Sequence, residues 1–130
     1  MSQILSRRDL DFLLYEWLGV EALTRRPRFE HLDREAFDQV LDLCESMATE
    51  LFAPIYQKGD QNEPYFDGET VHCLPEIGTA LNAFAKAGLL AAGQPLERGG
   101  MQLPATIERA AFAWFTAANG PATGYAFLTM

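Results

Sequence analysis

The sequence has little of what several classes of protein require. It contains two cysteines and two histidines in 130 residues, and Cys44 and Cys73 lie in no metal-binding or redox spacing. This composition predicts a reduced, cytoplasmic protein without a metal site. No apolar run approaches the roughly 18 residues of a membrane-spanning helix. Residues 1–9 are polar, which is not typical of a secretory signal peptide.

Basic charge is also scarce. The 10 Lys and Arg residues face 18 Asp and Glu residues, and the net charge of −8 opposes binding to nucleic acid or to an anionic membrane. The acidic excess lies within residues 1–93, because residues 94–130 contain two bases and two acids. This nearly charge-free carboxyl end is rich in Ala and Phe, so we expect it to be buried within the fold or against a partner.

Apolar spacing predicts four main helices, of which the first two are marked by polar caps. The first begins after Ser6, with Asp9 completing a capping box, and ends at Gly19. The second follows the N-cap Asp33 and is interrupted at Pro54. Their apolar stripes consist of Leu10, Leu13, Leu14, Trp17 and Leu18, and of Phe37, Val40, Leu41, Cys44, Met47, Ala48, Leu51, Phe52 and Ile55.

The third and fourth predicted helices start at Pro75 and Pro104, because proline is tolerated in the first turn of a helix. Between them, Gly88 and Gly93 occupy a helix end and its exit, where we predict positive φ. The inward-facing residues are Ile77, Ala80, Leu81, Phe84 and Gly88 in the third helix, and Ile107, Ala111, Trp114, Phe115 and Ala118 in the fourth.

Two further segments interrupt the helices. Residues 66–68 (Phe-Asp-Gly) predict a tight turn, with at most a short hairpin near residues 70–73. Residues 119–121 (Asn-Gly-Pro) break the chain again, and the apolar residues 122–130 predict a buried helix. Since this last helix has no cap before Met130, we expect the natural chain to continue beyond that residue.

These elements predict an all-α fold, an up-and-down helical bundle. Residues 1–32 form an amino-terminal helical extension in this interpretation, and residues 33–130 form the main helical domain. Strand content is negligible, and the sequence shows neither repeats nor low-complexity tracts.

Polar candidates for a site each have a simple structural alternative. Asp38 and Asp42 share a helix face, which is typical of a solvated surface rather than of an acid–base pair. Residues 99–100 (Gly-Gly) precede a helix but lack the lysine of a phosphate-binding loop, so they predict a structural turn. The basic run at residues 25–28 is interpreted as a solvated turn. His31, His72 and the two cysteines have no ligand spacing.

The aromatic residues near the carboxyl end allow two interpretations. Trp114, Phe115, Tyr125 and Phe127 are either a ligand-stacking cluster or part of the core. The two differ in whether Tyr125 borders a cavity or packs against solid protein.

Five segments carry a family resemblance through their order and spacing. They are residues 9–16 (DLDFLLYE), 20–23 (VEAL), 51–60 (LFAP leading to Gly-Asp), 84–89 (FAKAGL) and 97–104 (ERGGMQLP). Together they resemble the amino-terminal helical domain of acyl-CoA dehydrogenases, flavoproteins that oxidise acyl-CoA thioesters. They are most similar to the bacterial branch with an amino-terminal helical extension, which includes the methylmercaptopropionyl-CoA dehydrogenases.

The resemblance has one departure from the pattern of the family. The turn before the fourth helix usually reads Gly-Gly-x-Gly-x-Pro, and Gln102 stands at the third glycine. If this position requires positive φ, the glutamine introduces strain of about 1 kcal/mol.

The resemblance implies the amino-terminal domain of a FAD-dependent enzyme that dehydrogenates an acyl-CoA at the α and β carbons. In such enzymes FAD and the glutamate base belong to a β-domain and a second helical domain, so no catalytic or cofactor-binding residue is assigned here. This chain alone is expected to be inert and flavin-free. The partners implied for the whole protein are acyl-CoA and an electron-transfer acceptor. One wall of the acyl pocket would come from Gly124, Tyr125, Leu128 and Thr129.

A second interpretation comes from the charge asymmetry alone. The chain is then a stand-alone acidic helical module that binds a protein partner through its charge-free carboxyl end. Self-association into a homo-oligomer is expected in either interpretation, because an apolar surface without a neighbour favours association. A reading frame that continues past Met130 into a flavoprotein would favour the dehydrogenase.

Overall fold

The computed structural model describes residues 4–130; residues 1–3, the start of the predicted extension 1–32, lie outside the described residues. The fold is all-α, as predicted. Its helices are α1 (Arg7–Asp11), α2 (Arg34–Met47), α3 (Tyr56–Gln61), α4 (Pro75–Lys86) and α5 (Ala105–Phe127). A short hairpin is also present: strands β1 (Tyr65–Phe66) and β2 (Val71–His72) pair antiparallel, with Tyr65 opposite His72. Only β2 lies within the range 70–73 where strand structure was expected.

Shorter helical turns extend and connect these helices. Two π-helical turns, Phe12–Trp17 and Ala48–Phe52, continue α1 and α2. Five 3-10 turns complete the connections: Val20–Arg25, Pro27–Phe29, Ala53–Ile55, Leu89–Ala91 and Leu96–Arg98. Pro54 lies where α2 gives way to α3, which confirms the predicted interruption. Within residues 4–130, no helix is both long and apolar enough to cross a membrane.

The first helix starts as predicted but buries fewer residues. The Ser6 hydroxyl accepts a hydrogen bond from the Asp9 amide at 3.3 Å, which confirms the cap. Of the predicted stripe only Leu14 is buried, and Trp17 is 71% exposed. A π-helix closes i→i+5 hydrogen bonds, so side chains spaced for an α-helix drift away from the buried face. The uniform apolar stripe predicted for this helix was therefore wrong.

The second helix supplies one side of the core. Asp33 caps it by accepting a hydrogen bond from the Ala36 amide at 2.8 Å. Phe37, Leu41, Cys44, Ala48 and Phe52 are buried, as their spacing predicted. The Phe115 ring of α5 contacts Phe52 and Phe84 edge to face, with centroids 4.9 Å apart in both pairs. Cys44 is a fully buried core residue, and its burial raises the pKa of the thiol to about 12.

The turns between α4 and α5 combine one confirmed and one corrected prediction. Gly88 has φ +79° at the end of α4, as predicted. Gly93 does not have positive φ. A Cβ at Gly93 would lie 2.7 Å from a carboxylate oxygen of Glu108, so glycine leaves room there for a neighbouring side chain.

Gln102 occupies the position where the family places glycine, and it has φ +53°. Its side chain also makes contacts that glycine lacks, because Nε2 donates to the Arg28 carbonyl at 2.6 Å. Oε1 accepts from the Leu96 amide at 3.4 Å. The bond to Arg28 fastens the turn before α5 to the segment before α2, and the bond to Leu96 lies within the connection between α4 and α5.

The carboxyl-terminal helix is buried on one face only. The five predicted inward residues of α5 are all buried, as are Ala122, Thr123 and Ala126 beyond the break. Tyr125 and Phe127 are half-exposed, and Leu128 is 84% exposed. The expected burial of residues 122–130 on all sides was wrong, because only one side of this short segment reaches the core.

Candidate functional site

Two hollows lie beside a break in α5, near the predicted site. We call residues 105–118 the first arm and residues 120–127 the second arm. Asn119 between them has non-helical backbone angles, φ −162° and ψ 81°, and Pro121 has no N–H to donate. The predicted break at residues 119–121 is therefore confirmed.

Buried side chains satisfy the polar groups at this break. The Thr123 hydroxyl contacts the carbonyls of Phe115 at 2.9 Å and Asn119 at 2.7 Å. The Asn119 carboxamide accepts from the Ala122 amide at 3.0 Å and donates to the Phe52 carbonyl at 3.1 Å. Because unpaired buried polar groups are costly, these bonds hold the break in one conformation.

The second arm turns back toward the first. Phe115 and Thr123 are eight residues apart, a span of roughly 12 Å in a straight helix, yet the Thr123 hydroxyl reaches the Phe115 carbonyl. The ring centroids of Phe112 and Phe127 lie 6.0 Å apart. The two arms therefore enclose an angle, and a hollow lies inside it.

We call this hollow the α5 cleft, and its volume is about 590 Å³. The first arm lines it with Arg109, Phe112, Ala113, Thr116 and Ala117. The second arm and its corner contribute Gly120, Thr123, Gly124 and Phe127. Arg109 is the single charged residue of this lining within residues 4–130. No carboxylate, histidine or cysteine lines it, so the cleft is suited to holding an apolar group rather than to acid–base chemistry.

A second hollow, the Tyr125 cavity, lies on the other side of the break and has a volume of about 220 Å³. Its lining includes Tyr56, Asp60, Glu63, Ile77, Asn119 and Tyr125. The Tyr125 hydroxyl lies 3.8 Å from the Cys73 sulfur. This contact, with a smaller effect of burial, raises the pKa of Tyr125. Tyr125 thus borders a cavity, whereas Trp114 and Phe115 are core residues.

The four predicted pocket residues do not share one hollow. Gly124 lines the α5 cleft and Tyr125 lines the Tyr125 cavity. Leu128 and Thr129 are exposed and line neither, although the Thr129 hydroxyl donates to the Tyr125 carbonyl at 3.0 Å. The first-arm side of the cleft escaped prediction. The helical spacing of the small residues Ala113, Ala117 and Gly120 is a pattern that could have indicated it.

The remaining candidates are structural. Asp38 and Asp42, predicted to form a solvated face, both pair with Arg7, and Asp38 lies 3.3 Å from that guanidinium. The Tyr15 hydroxyl also donates to Asp38 at 2.6 Å. This face of α2 therefore binds the amino-terminal segment through Arg7 and Tyr15, and its interpretation as simply solvated was incomplete.

The histidines and cysteines do not converge on one site, although His72 and Cys73 are neighbours in the sequence. His31 contacts the Met101 carbonyl at 3.1 Å, and His72 contacts Asp67 on the hairpin. Cys44 is buried, and Cys73 is exposed. In the described part of the chain, no group of three or more His, Cys, Asp or Glu side chains is placed to hold a metal ion.

Fold and site together define an all-α domain with an apolar cleft at a broken helix. No family model matches this chain. It is 31% identical over 102 residues to the broad-specificity linear acyl-CoA dehydrogenase FadE5 of Mycobacterium tuberculosis (strain H37Rv). The match covers 77% of this chain and 17% of that relative, so the chain spans less than a fifth of the protein that it matches. This similarity supports the resemblance to the acyl-CoA dehydrogenase family.

Proposed function

We propose that this chain is the amino-terminal helical domain of a FAD-dependent acyl-CoA dehydrogenase, and that the α5 cleft forms part of the acyl pocket wall. The observation that carries the proposal is the cleft itself, an apolar hollow of about 590 Å³ beside the predicted residue Gly124. The similarity to an acyl-CoA dehydrogenase over most of the chain supports it.

We assign the catalytic step to parts of the whole protein outside this chain. FAD, the glutamate base and the electron-transfer acceptor belong to the remainder of the enzyme, in a cytoplasmic homo-oligomer. Residues 1–32 are the extension characteristic of the methylmercaptopropionyl-CoA branch, and residues 33–130 are the domain common to the family. The role of this chain is to bind and orient the acyl group, which lowers the barrier by positioning.

Gly124 is the residue that controls the depth of the cleft in this proposal. A Cβ placed on Gly124 would meet no other atom within 4 Å, because it would point into open space. A larger side chain there fills the cleft without disturbing the backbone. The same side chain would shorten the space for an acyl group.

The test uses the complete protein encoded by the gene and the variant Gly124→Leu. We expect KM for long-chain acyl-CoA to rise about 10-fold or more while short-chain substrates are little affected, because a lost apolar contact is worth about 1–3 kcal/mol. The assay is acyl-CoA-dependent reduction of an artificial electron acceptor across a chain-length series.

A matched control is Gly78→Leu on α4, since a Cβ there also meets no atom within 4 Å and Gly78 lines neither the α5 cleft nor the Tyr125 cavity. A complete protein that does not oxidise acyl-CoA would contradict the proposed function. If KM depends on acyl chain length in the same way in both variants, the role of Gly124 is contradicted but the proposed function is not.

One observation favours the interaction module as a second candidate. Phe127 and Leu128 are exposed at the charge-free carboxyl end, where apolar side chains commonly meet another protein. The length of the reading frame and the mass of the protein isolated from its source distinguish the dehydrogenase domain from the interaction module. The module would be favoured if the protein encoded by the gene ends at Met130 and self-associates, and if Leu128→Ser abolishes that self-association.

A further inference from the structure

The Tyr125 cavity has the character of a binding site that the acyl pocket does not use. It lies between α3, the segment leading to the hairpin, and the outer side of the α5 break. Its volume of about 220 Å³ suits a group of a few heavy atoms rather than a long chain. Ile77 and Ala122 provide an apolar floor, and the polar residues stand around it.

Every charged residue that lines the cavity is negative. Asp60 and Glu63 belong to the lining, and neither pairs with a cationic side chain within residues 4–130. The nearest base in sequence, Lys58, is engaged by Glu76. Both carboxylates are exposed to solvent at the mouth of the cavity, and neither has a counter-charge from the described part of the chain.

Among the uncharged polar groups of the lining, Asn62 also favours a ligand that donates hydrogen bonds. Asn62 donates through Nδ2 to the Lys58 carbonyl at 2.7 Å, which leaves its carbonyl oxygen as an acceptor. Asn119 is committed to backbone groups on both sides. A ligand that donates hydrogen bonds thus finds acceptors here.

Two tyrosine rings complete the lining. Tyr56 and Tyr125 are both half-exposed, on different helices, and both border the cavity. The face of an aromatic ring attracts cations, and organic ammonium groups are commonly bound between aromatic and acidic residues. Carboxylates, acceptors and aromatic rings around an apolar floor together form the complement of an alkyl chain that ends in a cation.

We propose that the Tyr125 cavity binds a small organic cation, an alkylammonium or alkylguanidinium group. The group comes either from a free amine or from a lysine or arginine side chain of a partner. The inference does not depend on the dehydrogenase proposal, because it uses a separate hollow and a different ligand chemistry.

The test is a titration of the complete protein encoded by the gene, selectively labelled at tyrosine and aspartate and followed by two-dimensional NMR, with butylamine and butylguanidine as probes and butanol as the uncharged control. We expect saturable shifts at Tyr56, Asp60 and Tyr125 with both cations and at least 10-fold weaker binding of butanol. Equal binding of butanol, or no saturation with either cation, would overturn the proposal.

Variants locate the binding site. Asp60→Asn combined with Glu63→Gln should weaken butylamine binding about 10-fold or more, and Tyr125→Leu should weaken it with the spectrum otherwise preserved. Glu69→Gln is the matched control, since Glu69 is an exposed acid of the hairpin segment outside the cavity lining. Full affinity in the Asp60/Glu63 variant, with an unchanged spectrum, would overturn the assignment.

A lysine capped on its backbone groups, Nα-acetyl-lysine methylamide, separates the two sources of the cation. Binding as tight as that of butylamine indicates that a partner side chain fits the cavity. Binding of butylamine without binding of the capped lysine indicates a free amine. If neither binds, the proposal fails.

Discussion

The amino-terminal segment and α5 are both rich in apolar residues, yet they are held to the protein by different forces. In the segment 4–19, Leu14 alone is buried, and Arg7 makes contacts with Asp11, Asp38, Asp42 and Glu45. In α5, ten residues are buried, and the rings of Phe112 and Phe115 pack against Phe84. Charged contacts add to the partial apolar packing of Leu10 and Leu14 in the first region, whereas apolar packing dominates the second.

In these two regions, apolar composition does not by itself determine burial. Trp17 in the π-helical turn of the amino-terminal segment is exposed, so polar contacts supply a larger share of the attachment there than in α5. Arg34 contributes to it, with its guanidinium 4.0 Å from the Tyr15 ring centroid. Ionic contacts at a surface are screened by salt and apolar packing is not, so the two regions should respond differently to salt.

The largest expected effect comes from the packed region. Phe115→Ala removes a buried ring that packs against three other phenylalanine rings, and it should lower the free energy of unfolding by about 3–5 kcal/mol. Urea denaturation monitored by circular dichroism measures it. Phe12→Ala in the amino-terminal segment is the control, and it should change stability by less than about 1 kcal/mol because Phe12 is half-exposed. Similar losses for both variants would break the comparison.

A smaller effect is expected from the charged attachment. Arg7→Ala removes the shared partner of four carboxylates, and we expect a loss of about 1–2 kcal/mol that shrinks in about 1 M salt. Hydrogen exchange should speed up in the segment 7–18 and not in α5. Arg8→Ala is the matched control, since no ion pair of Arg8 occurs within residues 4–130. A loss that is independent of salt would show that packing, not charge, holds the segment.

The next effect concerns the turn before α5, which Gln102 bonds to Arg28. Gln102→Ala keeps a side chain at positive φ but loses the bonds to Arg28 and Leu96, so it should cost about 1 kcal/mol. Gln102→Gly loses the same bonds but relieves the strain, so it should remain within about 0.5 kcal/mol of the natural protein. The free energies of unfolding in urea compare them. Equal losses for both variants would show that strain contributes nothing at this turn.

The smallest effect is local to the hairpin. The amide of Thr70, the side chain of His72 and the amide of Glu69 together lower the pKa of Asp67 from 3.8 to about 2. Because the folded pKa is depressed, the turn is stabilised above pH 4, and this contribution is lost as the pH falls toward 2. The Thr70 amide shift should follow this titration by NMR. Asp67→Asn should abolish the titration, whereas Glu69→Gln should preserve it.

Much of the fold could be predicted because its signals are local. Caps at Ser6 and Asp33, prolines at the starts of α4 and α5, and the break at residues 119–121 depend on backbone groups within a few residues. The inward residues of α2 and α5 followed from 3.6-residue periodicity. The exposure of Trp17 could not follow from it, because a π-turn shifts the period without a distinctive sequence pattern.

The candidate site was predictable only in part. The resemblance indicated the segment that includes Gly124 and Tyr125, and the break indicated a change of direction there. That these neighbours line different hollows depends on the angle between the two arms of α5. That angle is held by Thr123 and Asn119 through contacts with Phe115 and Phe52. The two described cavities therefore could not be separated by sequence spacing alone.

The sequence by itself determined the all-α class, the boundaries marked by caps and prolines, and the acidic surface. Each of these depends on local sterics, on local hydrogen bonding or on charge count. Tertiary structure alone decided which apolar faces meet, that Arg7 gathers the carboxylates of α2, and that the arms of α5 close around a cleft. Those outcomes depend on contacts between residues far apart in the chain, whose geometry no local pattern contains.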